Sequence, residues 1–145
     1  MDPPVLPYLI APLGTLCLLV AGWALVCFVI SRLGWAPFAR SYASVVKPSG
    51  PAFMASQASF GHGFDSYRNV LRVSFMPEGI HVRAIFPFQL GHRPLLLPWQ
   101  GLESAELERT LFGQRLLIKV RGETGRLSMT LPAAAHAALE AARTN

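Results

Sequence analysis

The hydrophobic pattern of this 145-residue chain changes character twice. From residue 3 to residue 31 the only ionisable side chains are Tyr8, Cys17 and Cys27, and LGTLCLLVAGWALVCFVI (Leu13–Ile30) is apolar on every face. A helix from about Pro12 to Leu33 would be roughly 30 Å long, the thickness of a bilayer's hydrocarbon core. Pro12 suits its first turn, where the missing N–H costs nothing. A core helix of so small a domain would keep a polar stripe, and none is present. A signal peptide would need a basic start and a small-x-small cleavage site, but the first twelve residues carry only Asp2. Leu16 and Val26 precede the two cysteines, so neither completes a lipobox. The run predicts a transmembrane helix.

Next comes a 3.6-residue period. In SRLGWAPFARSYASVVKPSGP (31–51), Trp35, Phe38 and Tyr42 fall at i, i+3 and i+7 and interleave with Arg32 and Arg40. That spacing fits an interfacial anchor of Trp35, Phe38, Arg40 and Tyr42, and equally a hydrophobic face packed on the following domain. Pro48, Gly50 and Pro51 end any helix there.

After this the period becomes two. RNVLRVSF (68–75) sets Leu71, Val73 and Phe75 against Arg68 and Arg72, and GIHVRAIF (79–86) alternates Ile80, Val82, Ala84 and Phe86 with His81 and Arg83. RLLIKVR (115–121) and RLSMTL (126–131) alternate in the same way, and 53–60, 93–98 and 103–109 are weaker candidates. Clean alternation marks antiparallel strands with one wet face. The turn signals GHG, PEG, GHRP, FGQ and GETG separate them. LPAAAHAALEAARTN closes the chain as a helix. The expected organisation is a tail and transmembrane helix (1–33), an interfacial segment and linker (34–51), and a β-domain of about seven strands with a C-terminal helix (52–145).

Charge sets an orientation. All thirteen Lys and Arg lie at or after Arg32, and Arg32, Arg40 and Lys47 follow the helix closely with none before it. The positive-inside rule then places the N-terminus outside and the domain in the cytoplasm, at the inner (cytoplasmic) membrane. Cys17 and Cys27 are about 15 Å apart along the helix and cannot pair within the chain, so no disulfide framework is expected.

Seven short strands followed by one helix resemble a pleckstrin-homology-like (PH-like) domain, a two-sheet sandwich or open barrel plugged by a terminal helix. LLLPWQGLESAEL resembles the hydrophobic-Pro-Trp strand and acidic following strand of bacterial PH-like and GRAM-like domains. RLGWAPFARSY, SYRNVLRV, EGIHV and FPFQLGHRPLLLPW resemble a group of small single-span bacterial membrane proteins to which no role is assigned. The PH-like resemblance permits phosphoinositide binding, but the spaced Lys/Arg run that such domains carry in their first loop is missing.

Little in the chain suggests covalent chemistry. His62 and Asp65 supply two metal ligands where three or four are needed, and no HxxxH or CxxC occurs. There is no G-x-S-x-G elbow, and GHG and GETG lack the Lys-Ser/Thr of a phosphate loop. Glu103, Glu106 and Glu108 beside Arg109 read as a solvated strand edge. No catalytic residue, cofactor or metal is expected.

The basic face says more. Arg68, Arg72, His81 and Arg83 are expected to point outward from one sheet, and Arg115, Lys119 and Arg121 from the other. Near an anionic leaflet each close cation gains about 1 kcal/mol, while the same residues fit equally a solubilising face that follows the positive-inside rule. Nucleic acid is excluded as a partner despite a pI near 9.9, because no RNA-stacking platform or helix-turn-helix is present. In FPFQLGHRPLLLPW, alternation puts Phe86 inside. Pro87 stops the ladder, leaving Phe88 and Leu90 on a hairpin tip beside His92 and Arg93. Such an apolar tip with a basic collar would dip into the bilayer interface or into a membrane partner; the alternative, which parity alone favours for Phe88 and Leu90, is a loop folded back onto the domain's own core. Ala11, Gly14, Ala21 and Gly22 form a small-residue stripe that would allow two helices to pair.

The function expected from the sequence is a non-catalytic single-pass membrane protein. Its cytoplasmic PH-like domain binds a protein partner, with auxiliary contacts to anionic lipid. The alternative is an accessory subunit of a membrane enzyme or transport complex, with a site shared between chains.

Overall fold

A helix long and apolar enough to cross a membrane opens the chain. The computed structural model describes residues 6–61, 66–111, 113–121 and 126–144. Helix α1 (Leu6–Ile30) passes through a π-helical stretch, Ser31–Trp35, into α2 (Ala36–Tyr42). It therefore starts earlier and runs further than the apolar pattern predicts. Along α1, Leu13, Leu16, Leu18, Leu19 and Leu25 stand exposed. Pro37 lies in the first turn of α2. It has no N–H to donate, and its ring crowds the carbonyl four residues back. The wider turns just before it, with Ala36 N–H bonded to Ser31 O, give that ring room.

Among the described residues nine strands follow: β1 (Ala52–Ala55), β2 (Gln57–Gly61), β3 (Ser66–Tyr67), β4 (Leu71–Met76), β5 (Gly79–Ala84), β6 (Leu95–Pro98), β7 (Leu102–Thr110), β8 (Gly113–Val120) and β9 (Arg126–Leu131). They form two antiparallel sheets, ordered β1-β4-β5-β6 and β3-β2-β9-β8-β7. Strands β1 and β2 continue one another across Ser56, whose N–H bonds to Thr130 O at 3.0 Å. That bend passes the chain from one sheet to the other. It also splits the single run expected at 53–60, which with the unforeseen β3 brings seven strands to nine.

The inner faces follow the alternation. Val73, Val82 and Leu95 stand in register across β4, β5 and β6, and Leu116, Met129 and Ala58 across β8, β9 and β2. All six are buried. Helix α3 (Ala134–Thr144) buries Ala135, Leu139 and Ala142 against the same core.

The segment after α1 departs from one of its two expected roles. Trp35 is 0% exposed and Phe38 2%, and both belong to the core. Trp35 stacks against Phe60 at 4.8 Å and Tyr67 at 6.0 Å, and its Nε1–H donates to Arg93 O at 2.8 Å. These two rings are therefore not an anchor at the bilayer interface, and residues 34–51 are not a free linker. The i, i+3 spacing is real, but it faces the sandwich. Tyr42 is half-buried and packs on that core, and Arg40 remains exposed.

His81 is also displaced from its expected place. It lies on the outer side of β5 yet is only 1% exposed. Ser44 N–H bonds to Pro94 O at 2.8 Å and Ala43 bridges to Leu95, so the chain beyond α2 runs along β6 and covers that face. The Val46 backbone lies beside the imidazole without hydrogen-bond geometry, leaving both ring nitrogens unpartnered.

Candidate functional site

The β5–β6 connection, residues 85–94, doubles back onto the helix. Phe88 N–H bonds to Ile85 O at 2.8 Å and His92 N–H to Gln89 O at 3.0 Å, so the loop is two tight turns in succession. Gly91 makes the second turn fit. Its φ of +77° suits glycine, and a Cβ there would stand 2.6 Å from Ser31 Oγ. The loop thus rests directly on the π-helical stretch.

His92 fastens the loop from inside. It is 5% exposed, and its Nδ1 faces Leu90 O at 3.0 Å while Nε2 faces the Tyr67 hydroxyl at 3.0 Å. A carbonyl can only accept, so Nδ1 carries the proton and Nε2 accepts the tyrosine O–H. Burial holds this imidazole below the ordinary histidine value of 6.5, against the smaller opposite pull of the Leu90 and Phe88 backbones. His92 is therefore a buried strut rather than part of an exposed collar.

The loop tip is divided between two environments. Phe88 is half-buried and meets Trp23 of α1 edge to face at 5.0 Å. Phe86 is 84% exposed and Leu90 51%. Alternation placed Phe86 inside, and the stop at Pro87 placed Phe88 at a free tip; instead Phe86 is exposed and Phe88 is half-buried, as in the folded-back alternative. Strand β5 ends at Ala84, so parity no longer applies beyond it.

Between this loop, the π-helical stretch and α2 lies an open cleft of about 720 Å³. Arg32, Arg40, Arg83 and Arg93 line it, together with Ser31 and Gly91, and among the described residues no acidic one does. The one ion pair among the described residues joins Lys119 to Glu103 at 2.9 Å, so none of these four arginines has a carboxylate partner there. Arg32 lies over the Phe28 ring at 4.7 Å, a cation–π contact that steadies the guanidinium and leaves its N–H edge open. Four arginines line this one opening, and planar guanidinium donors suit bidentate contact with anions.

Of the residues expected to form a basic surface, only Arg83 enters this cleft. Arg72 stands opposite Arg83 in the β4–β5 register, and Arg68 lies outside any strand. Arg115, Lys119 and Arg121 are exposed on the other sheet or just past its end, with Lys119 neutralised by Glu103. Arg40 and Arg93, assigned to the anchor and the collar, join the cleft instead. Arg32 was read only as an orientation signal. The clustering of Arg32 and Arg40 just past the apolar run was the available hint; the fold back of Arg83 and Arg93 onto them had none.

A second, apolar opening of about 690 Å³ adjoins the cleft, lined by Leu19, Val20, Trp23, Phe86, Pro87 and Leu90. Gln89 lines both. Among the described residues, no three His, Cys, Asp or Glu side chains gather as metal ligands. His62 and Asp65 lie outside the described residues. Comparison of the chain with family models, curated proteins and solved structures found no match.

Proposed function

We propose that this chain is a non-catalytic single-pass membrane protein whose PH-like domain, held against the bilayer surface, binds an anionic group through the cleft of Arg32, Arg40, Arg83 and Arg93. The first strand shared between two sheets and the helix packed against their common core support the PH-like reading. The confinement of every Lys and Arg to one side of α1 supports a crossing helix with the domain in the cytoplasm.

The observation that carries the function is that four arginines line one cleft with no carboxylate among the described residues that line it. Holding like charges together costs free energy unless an anion offsets it. The cleft also opens beside the end of the apolar helix, where a bilayer presents phosphate. An acidic protein segment offers comparable chemistry and is the alternative occupant.

Two measurements test this. After an alkaline carbonate wash the full 15.8 kDa chain should stay in the membrane pellet. A shortened chain in the soluble fraction would mean that the apolar segment is a cleaved signal sequence. In neutral detergent, inorganic pyrophosphate should raise the unfolding temperature of the full chain. Arg32→Gln with Arg93→Gln should move the half-effect concentration at least tenfold higher. Absence of any rise, or an equal response in the double variant, would overturn the anion site.

A further inference from the structure

The arginine cleft and the apolar opening are two parts of one site, and we infer that its occupant is a single anionic phospholipid. This rests on the cleft reading above and adds the identity of the ligand.

Depth is the first argument. Counted back from Ile30, the last apolar residue before Ser31 and Arg32, about twenty residues from Ile10 span the roughly 30 Å hydrocarbon core. Arg32 then stands about 3 Å beyond the boundary, at the headgroup layer, and Trp23 about 10 Å inside it. Leu19 lies about 16 Å inside, among acyl chains. The two openings therefore occur in the order that a lipid requires, phosphate level above and hydrocarbon below.

Continuity is the second. Gln89 lines both openings, and the 86–91 loop forms a wall of each. Phe86, Pro87 and Leu90 face the apolar part, while Gly91, His92 and Arg93 face the charged part. The polarity boundary within the loop falls between Leu90 and Gly91, level with the boundary on the helix.

Exposure is the third. Leu19 is 67% exposed and Val20 58%, so the wall is open and none of the described residues fills it. A water-soluble phosphate would satisfy the arginines and leave the groove empty. A zwitterionic lipid would fill the groove and leave the excess positive charge uncompensated. An anionic lipid does both.

The full chain in neutral detergent is titrated with phosphatidylglycerol, phosphatidylcholine or glycerol phosphate, and bound copies are counted by native mass spectrometry. One phosphatidylglycerol per chain should bind at a concentration at least tenfold below that needed for either other compound. Arg32→Gln with Arg93→Gln should weaken phosphatidylglycerol at least tenfold and leave phosphatidylcholine unchanged. Val20→Trp fills the groove from an exposed position; it should weaken phosphatidylglycerol similarly and leave glycerol phosphate unchanged. Arg40→Gln with Arg83→Gln replaces the first pair if that variant does not unfold cooperatively.

Equal binding of phosphatidylglycerol and glycerol phosphate, unaffected by Val20→Trp, would overturn the lipid assignment and leave the anion cleft standing. Equal binding of phosphatidylglycerol and phosphatidylcholine would mean ordinary lipid solvation. An arginine-independent response to every probe would remove both the cleft and the lipid. Tighter, arginine-dependent binding of a poly-glutamate peptide would reassign the cleft to an acidic protein.

Discussion

The Tyr67 hydroxyl and the His92 imidazole meet at 3.0 Å inside the sandwich, tying the short strand β3 to the loop that closes the arginine cleft. The buried imidazoles make the stability of the fold sensitive to acid. Burial lowers the His92 pKa from 6.5, and burial followed by the Arg83 charge lowers that of His81. A histidine with a depressed folded pKa binds fewer protons in the native state than in the unfolded one. Its contribution is then full above the unfolded value and is lost as the pH falls below about 6.5. The unfolding temperature of the detergent-solubilised chain should drop between about pH 6.5 and pH 5. His92→Gln should flatten that slope, and an unchanged slope in both His81→Gln and His92→Gln would contradict the assignment. Tyr67→Phe leaves Nε2 buried without its donor and should cost about 1–3 kcal/mol at neutral pH.

Much of the fold was legible because two periods carry it. The alternation from Leu71 to Phe75 and from Leu127 to Leu131 specified both strand and inner face, since a one-residue slip would expose every buried side chain. Helix α1 was legible from its length without charge. The outer side of β5 was not. Whether His81 faces water depends on where the chain beyond α2 runs, and Ser44–Pro94 pairing is a contact across fifty residues. Trp35 and Phe38 illustrate the same limit: one spacing serves a bilayer interface and a protein core alike, and only the tertiary partner Phe60 separates them. The cleft was the least legible feature, because its arginines come from α2, the π-helical stretch, β5 and a loop.

Phe86 and Phe88 provide a direct test of how the loop sits. Phe88 has Trp23 at 5.0 Å and packs on the core, whereas Phe86 is 84% exposed. Phe88→Ser should lower the stability of the solubilised chain by about 1.5–3 kcal/mol, combining lost burial with the lost ring contact. Phe86→Ser should stay within about 0.5 kcal/mol. The reverse order in chemical denaturation would put Phe86 inside and Phe88 on a free tip.

Trp35 carries a larger share. Its ring is fully buried against Phe60 and Tyr67, and its indole N–H caps Arg93 O. Trp35→Ala should cost about 3–5 kcal/mol. A fragment beginning at Ser49, which lacks both Trp35 and Phe38, should unfold without a cooperative transition, while one beginning at Arg32 should keep it. Equal urea midpoints for the two fragments would show that the segment is dispensable to the core.

Gly91 and Ser31 separate two energies at a single contact. Gly91→Ala places a methyl-bearing residue at φ +77°, which costs about 1–2 kcal/mol in the left-handed region. It also brings Cβ to 2.6 Å from Ser31 Oγ, so either the loop or the helix must shift. Ser31→Ala alone removes a hydroxyl that bonds only to Phe28 O within its own helix, a change expected to cost about 0.5–1.5 kcal/mol. In the double variant the oxygen is gone, and Cβ of residue 91 then faces Cβ of residue 31 at 3.2 Å, a tighter contact than usual that a shift of a few tenths of an ångström relieves. The double variant should therefore be more stable than the sum of the single losses, with a coupling of about 0.5–3 kcal/mol. Strict additivity in the double-mutant cycle would mean that the loop does not press on the π-helical stretch, and the wall shared by the cleft and the groove would be lost with it.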